Sequence, residues 1–368
     1  METDNFLKKQ IEKGISYIES NNLKEAQKIF KDITNNKKSE LIGYLFLGII
    51  QIKIKNFTVA KSFFNKILIV EPNNQDANLN LGLVFLEEKN YETAILFFDK
   101  VIKISKNNLN AHYHKGLSYF LIQKYDQAID SFKVCTELNK NFYPSYLNLG
   151  HIYLRTKNFE KSIKNYNELL KFDPNHNNAK FNLAWNYFAL MKLDRAFKYY
   201  EFRNGKINPN TKTLEIIQKF QPKEWSGENL NNKKICIISE QGIGDNIQFF
   251  RYLYNIKEKY NAEIIFYTEQ KLQHLFSNSP FKIICNLNEI NNIDYYQHLL
   301  SLPGIFFKQK KEIQKNIPYI KIDLKNDAKW KKKLSKFKKP VIALNWQGDK
   351  NFLFDDTRSI KLSYFKRL

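Results

Sequence analysis

The 368-residue chain carries 59 Lys and Arg against 37 Asp and Glu, a formal charge of +22, and its 43% hydrophobic content suffices for two or three cored domains. No apolar run approaches the roughly 18 residues that span a bilayer, and the N-terminus lacks a secretory leader, so a cytoplasmic protein without a membrane span is expected. Only six of the basic residues are Arg, and the excess is shared almost equally by the two halves, which disfavours a dedicated nucleic-acid module.

In chain order, the first feature is an internal repeat. Gly14, Gly48, Gly82, Gly116 and Gly150 recur every 34 residues, and Ala184 continues the series. Twelve positions on, Ala26, Ala60, Ala94, Ala128, Ser162 and Ala196 keep the same period, and Phe30, Phe64, Phe98, Phe132, Tyr166 and Tyr200 follow four later. Each unit resembles the tetratricopeptide repeat, a helical hairpin, and six copies from about residue 7 make residues 1–206 an all-α solenoid. The small residues let paired helices approach, and the rings share the face of the Ala column and fill the space between hairpins. Asn21-Asn22 and Lys89-Asn90 are expected turns, while Pro72 and Pro174 follow second helices.

The curved inner face of such an array, lined by first helices, is the expected surface for a protein or peptide segment. Candidate groove residues are polar or aromatic positions that packing does not require: Asn78, Asn80, His112, Lys115, Tyr146 and Asn148. Each of these also reads as ordinary solvated surface. His112 and His114 diverge on a helix and are poor joint metal ligands. Cys135, Cys236 and Cys285 have neither zinc spacing nor a pairing pattern, so no metal is expected.

Residues 207–232, with Pro209, Pro222 and Gly227, read as a linker carrying a short helix over 213–220. Strands are then expected at 234–239, 262–268 and 281–287, with helices at 245–260 and 270–276, an alternation that argues a parallel sheet covered on both faces. The first strand-to-helix turn reads Glu240-Gln241-Gly242-Ile243-Gly244-Asp245. A dinucleotide fingerprint would need glycine at 247, which is Ile, and the Asp245 carboxylate would repel a pyrophosphate at the helix start.

Trp225-Ser226-Gly227, Glu240-Gln241-Gly242, Gly244-Asp245, Gln248-Phe249 and Arg251-Tyr252 together resemble the glycosyltransferase-like domain fused to tetratricopeptide repeats in many bacterial proteins. The likeness continues through Asp294-Tyr295, Leu300 to Pro303, Pro318-Tyr319, and Asn345 to Gly348 with Asp356, Arg358 and Ser359; His298 departs from it. That domain is related to family 9 glycosyltransferases, the heptosyltransferase group. The resemblance implies a Rossmann-like acceptor lobe over 233–338 and the start of a donor lobe over 339–368, the second lobe of a two-lobed fold being incomplete. It also implies Asp245 as the base that activates an acceptor hydroxyl. Glu240, Gln241, Gly242, Gly244, Gln248, Arg251 and Ser301 would form the acceptor-lobe loops, and Trp346, Gly348, Arg358 and Ser359 the donor site. The donor is a nucleotide-sugar substrate, no cofactor is implied, and the acceptor is a protein or a glycan held by the repeats.

Asp245 could equally cap its helix, and Arg358 could be a surface cation. Because the sequence stops soon after the expected strand at 341–346, the chain as given is expected to be catalytically incompetent. Residues 308–339 hold 13 Lys against three acidic residues and read as a solvated helix over 327–337 with flanking loops, which could also steer an anionic donor. Two functions therefore compete: sugar transfer to an acceptor held by the repeats, and a non-catalytic interaction scaffold. RNA binding through the lysines is the weaker third.

Overall fold

The computed structural model describes residues 2–208, 211–240, 242–310, 320 and 324–337. The expected strand at 341–346 lies outside them, as do Gln241, Pro318-Tyr319, Trp346, Gly348, Arg358 and Ser359. Two compact units are formed, one from Met1–Thr211 with the helix that begins at Leu302, the other from Lys212–Leu302 with, among the described residues beyond, 320 and 324–337.

The first unit is a row of six helical hairpins. Their first helices are α1 (Glu2–Glu19), α3 (Glu40–Lys53), α5 (Gln75–Glu87), α7 (Leu109–Leu121), α9 (Tyr143–Arg155) and α11 (Asn177–Ala189). Their second helices are α2 (Leu23–Ile33), α4 (Phe57–Val70), α6 (Tyr91–Ile104), α8 (Tyr125–Leu138), α10 (Phe159–Phe172) and α12 (Leu193–Tyr200). The column of glycines packs against the column of rings within each hairpin. A Cβ added to Gly82 would sit 2.5 Å from the Phe98 ring, and one on Gly150 2.6 Å from the Tyr166 ring. Both rings are fully buried, so there is no room for them to yield. Where Ser162 replaces Ala, its hydroxyl donates to the Gly150 carbonyl at 2.8 Å, which satisfies the buried oxygen.

The abundant asparagines end and start these helices. In the third hairpin, Lys89 takes a left-handed φ of 61° and the Asn90 N–H closes back onto the Phe85 carbonyl at 2.8 Å. Asn90 then turns its side chain forward to accept from the Thr93 N–H, capping α6. Asn56 and Asn158 cap second helices in the same way, and Asn74 and Asn108 cap first helices.

Beyond the array come α13 (Asn204–Ile207) and α14 (Thr211–Phe220). Among its described residues the second unit holds five strands: β1 (Lys223–Glu224), β2 (Lys234–Ile238), β3 (Glu263–Tyr267), β4 (Lys282–Ile284) and β5 (Tyr295–His298). They form one parallel sheet in the order β1-β5-β2-β3-β4. Alternation along the strands divides the core. Cys236, Ile238, Ile265 and Ile284 pack with Ile216 of α14 on one face. Phe266, on the other face, meets Phe250 and Phe276.

Three expectations change here. The helix foreseen over 245–260 is two helices, α15 (Ile243–Phe249) and α16 (Tyr252–Lys259). At the junction the hydrogen bonding tightens, Leu253 N–H reaching Phe250 O, and the buried Phe250 ring stacks on Phe276 with centroids 4.0 Å apart. The strand foreseen to 287 ends at Ile284, because Asn286 and Glu289 form a capping box that curls Leu287–Glu289 into a 3₁₀ turn. Part of the foreseen linker is structured too, since β1 pairs with β5. Between β3 and β4 lies α17 (Gln270–Phe276), as foreseen.

Helix α18 (Leu302–Lys310) falls within the stretch expected as an acceptor lobe, yet it is grouped with the repeats. A Cβ on Gly304 would lie 3.1 Å from Phe197 Cβ, and the Phe307 and Phe197 rings are 5.4 Å apart, so α18 packs on the last second helix. The helix expected over 327–337 is α19 (Leu324–Leu334), followed by a turn.

Candidate functional site: the inner face of the repeats

Side-chain bridges between successive first helices identify the inner face. Asn148 of α9 donates to the Tyr113 hydroxyl of α7 at 3.3 Å, and Asn182 of α11 lies 2.7 Å from His151 Nε2 of α9. Tyr113 and His151 belong to two register positions that repeat along the array, four residues apart. In the second, third and fourth hairpins those positions, with a third three residues further on, hold Leu45, Ile49 and Ile52; Leu79, Leu83 and Leu86; and Tyr113, Leu117 and Phe120. All are part-exposed and rest on the packed core beneath. Spacings of four and three residues keep each trio on one helix face, so the inner surface is an apolar stripe.

The stripe ends at the sixth hairpin in an aromatic cluster. Trp185 is 46% exposed, with its ring 5.8 Å from Phe181, 6.1 Å from Phe188 and 6.1 Å from Tyr200. Phe181, Trp185 and Phe188 continue the register of Tyr113, Leu117 and Phe120 but are not among the polar or aromatic positions expected to line the groove.

The expected groove residues fall in different places. Asn78 is 1% exposed and its amide donates to the Pro72 and Asn74 carbonyls, so it cannot face a ligand; the correction follows from its position on the buried side of α5. Asn80 donates to Asp76 O of its own helix. His112 is tied by Nε2 to the Lys106 carbonyl at 2.8 Å, and Lys115 pairs with Asp99 at 2.7 Å. Tyr146 stacks on Phe172, and burial raises its pKa. Of the five proposed for the groove with Asn78, only Asn148 bridges first helices among the contacts described here.

Two histidines on first helices are held neutral by burial, His114 and His151 both being lowered to about 4. For His151 the neighbouring His176 and Arg155 add to the effect.

In the second unit the loop at the carboxyl end of β2 is braced from within. Asn246 donates to the Glu240 and Gly242 carbonyls at 2.9 and 3.0 Å, and the buried Glu240 carboxylate accepts from Leu300 N–H at 3.4 Å, next to the buried Ser301. Asp245 is half-buried in the first turn of α15, while Gly242, Gly244 and Gln248 are exposed. Arg251 lies over the Tyr252 ring at 5.9 Å. The departure at His298 has a local cause: it is buried at the end of β5 with Nε2 3.1 Å from the Thr213 hydroxyl. Trp225, fully buried, donates to Glu228 O across a turn in which Gly227 holds φ at 123°, so that motif has a folding role. Near the ends of β3 and β4 a hollow of about 580 Å³ opens between Glu215, Lys219, Tyr267 and Asn286.

Comparison with known proteins places the array. The tetratricopeptide repeat family matches residues 143–176, and the family described as anaphase-promoting complex, cyclosome, subunit 3 matches residues 55–135. No curated protein matches the chain. Among solved structures, pilF of Pseudomonas aeruginosa is 16% identical with a TM-score of 0.51, covering 59% of this chain and 99% of that one. MamA is 24% identical over 47% of this chain and 94% of its own, with a TM-score of 0.43. YrrB, described as a tetratricopeptide protein with an unusual peptide-binding site, is 18% identical over 52% and 98%, with a TM-score of 0.43. At these identities the likeness to pilF speaks to the fold alone. No described helix is long and apolar enough to cross a membrane. With glycines seated on rings at a fixed period and two family matches inside the same row of hairpins, the N-terminal unit is a tetratricopeptide repeat solenoid.

Proposed function

We propose that the chain is a non-catalytic interaction scaffold whose array holds a protein or peptide segment along its inner face. The observation that carries this is the part-exposed apolar stripe, which ends at Trp185. A stripe of this kind gains most by covering an apolar segment of a partner, with the exposed aromatic as an anchor. The test places a photo-crosslinking residue at Leu117, on the stripe, or at Leu96, which is 62% exposed on a second helix. Peptides selected on the whole chain should crosslink from Leu117 and not from Leu96, and Leu83→Glu with Leu117→Glu should weaken them at least tenfold. Equal crosslinking from both sites would reject the reading.

A second reading, sugar transfer, is favoured by one feature. Asp245 follows β2 beside the point where the strand order reverses between β2 and β5, the edge at which parallel sheets receive ligands. In that reading Asp245 takes the acceptor's proton, Glu240, Gln241 and Ser301 shape the acceptor loops, and Trp346, Gly348, Arg358 and Ser359 hold the nucleotide sugar. In a chain that carries a whole donor lobe, release of nucleoside diphosphate from nucleotide sugars, abolished by Asp245→Asn, is the expected result; unchanged turnover in the variant rejects Asp245 as the base.

A further inference from the structure

Residues 324–337, comprising α19 and its following turn, hold six lysines and one acidic residue, Asp327. Every residue from 328 to 337 is exposed, Trp330 by 56%, Leu334 by 42% and Phe337 by 62%. A step of four residues brings Trp330 and Leu334 within roughly 40° of each other on one face of α19, and Phe337 follows in the turn, its N–H bonded to Leu334 O at 3.0 Å. Lys329, Lys331 and Lys332 occupy the other directions of the helix, Lys336 follows in the turn, and Lys333 borders the apolar face with its Nζ 4.7 Å from the Trp330 ring centre. Asp327 is matched by Lys331 at 2.7 Å, which leaves the face opposite the rings cationic.

We infer that α19 and its turn are a docking surface for an anionic lipid bilayer. The helix lies in the headgroup plane, with Trp330, Leu334 and Phe337 at the acyl boundary and the lysines among the phosphates. Charge complementarity names the partner as anionic, and the aligned apolar side chains distinguish a bilayer from a nucleic acid, which supplies phosphates without an acyl layer. The surface is independent of the repeat groove and of the Asp245 loop.

The test uses the whole chain with vesicles of phosphatidylcholine alone or mixed with phosphatidylglycerol. Co-sedimentation is expected only with the mixed vesicles. Each lysine near such a surface contributes about fivefold, so replacing Lys331, Lys332 and Lys333 by Ser should lower partitioning on the order of 100-fold. Trp330→Ser with Phe337→Ser, which leaves the charge unchanged, should lower it at least tenfold. Replacing the exposed Lys24, Lys28 and Lys31 of α2 by Ser makes the same change in charge and should leave binding intact. In the unaltered chain, brominated lipid should quench the part of the emission that Trp330→Phe removes, a readout that needs no triple variant. The inference is overturned by failure to sediment, by equal loss in the α2 variant, or by unquenched Trp330 emission. It is overturned in favour of nucleic acid if the Trp330 and Phe337 changes spare binding and the chain retains single-stranded RNA through the same lysines.

Discussion

Asn21, Lys55, Lys89, Gln123, Lys157 and Met191 hold φ between 54° and 61° at the turn inside each hairpin, a left-handed conformation that costs an ordinary side chain about 1–2 kcal/mol. The helix closure onto the carbonyl of the residue four before Lys89 requires that conformation, and the asparagine that follows starts the next helix. Replacing Lys89 by Gly removes the strain but enlarges the freedom of the unfolded chain, and the balance should stabilise the array by about 0.5–1 kcal/mol. A higher urea midpoint at unchanged slope is the expected measurement. A lower midpoint would mean that Lys89 contributes more than the geometry suggests.

At the scale of elements, the last hairpin of a solenoid has an open face that must be covered. Here the cover on α12 includes α18, supplied from beyond the sheet, with Gly304 and Phe307 against Phe197. Phe307 is 8% exposed, so Phe307→Ala should cost about 3–5 kcal/mol locally. Amide exchange should rise in α12 and remain unchanged in α4; unaltered exchange in α12 would show that α18 does not support it. The glycine at 304 was legible in the sequence, but nothing local says which helix it would approach. The two short helices at 243–259 are a similar case, since the break follows from a ring buried against Phe276 across the sheet face.

For the whole molecule, stability depends on pH through the buried histidines. His114 stacks on Phe98 of the preceding hairpin with centroids 5.8 Å apart, and His151 is bonded to Asn182 of the following one. Both have folded-state values near 4, below the ordinary 6.5, so the unfolded chain binds protons first as pH falls. Their stabilising contribution is complete above about pH 6.5, relative to acid, and is lost as pH falls through that value toward 4, by about 3 kcal/mol for each. His114→Phe should flatten part of the decline in melting temperature between pH 7 and 4. An identical decline in the variant would assign it to carboxylates.

The periodic columns by themselves determined the array, because each relation is local: a glycine, a small residue and a ring within one hairpin decide how two adjacent helices nest. The same period also carries the inner stripe from Leu45 to Trp185 at other register positions, at spacings of four and three, whereas the expected groove residues were polar or aromatic ones such as Asn78 and Tyr146. What only the tertiary structure decided depends on partners distant in sequence. His298 meets Thr213, Glu240 meets Leu300, and Gly304 meets Phe197. A parallel sheet and a capped solenoid join segments through contacts that no window of sequence contains, so burial, exposure and the character of each face emerge only when the chain has folded.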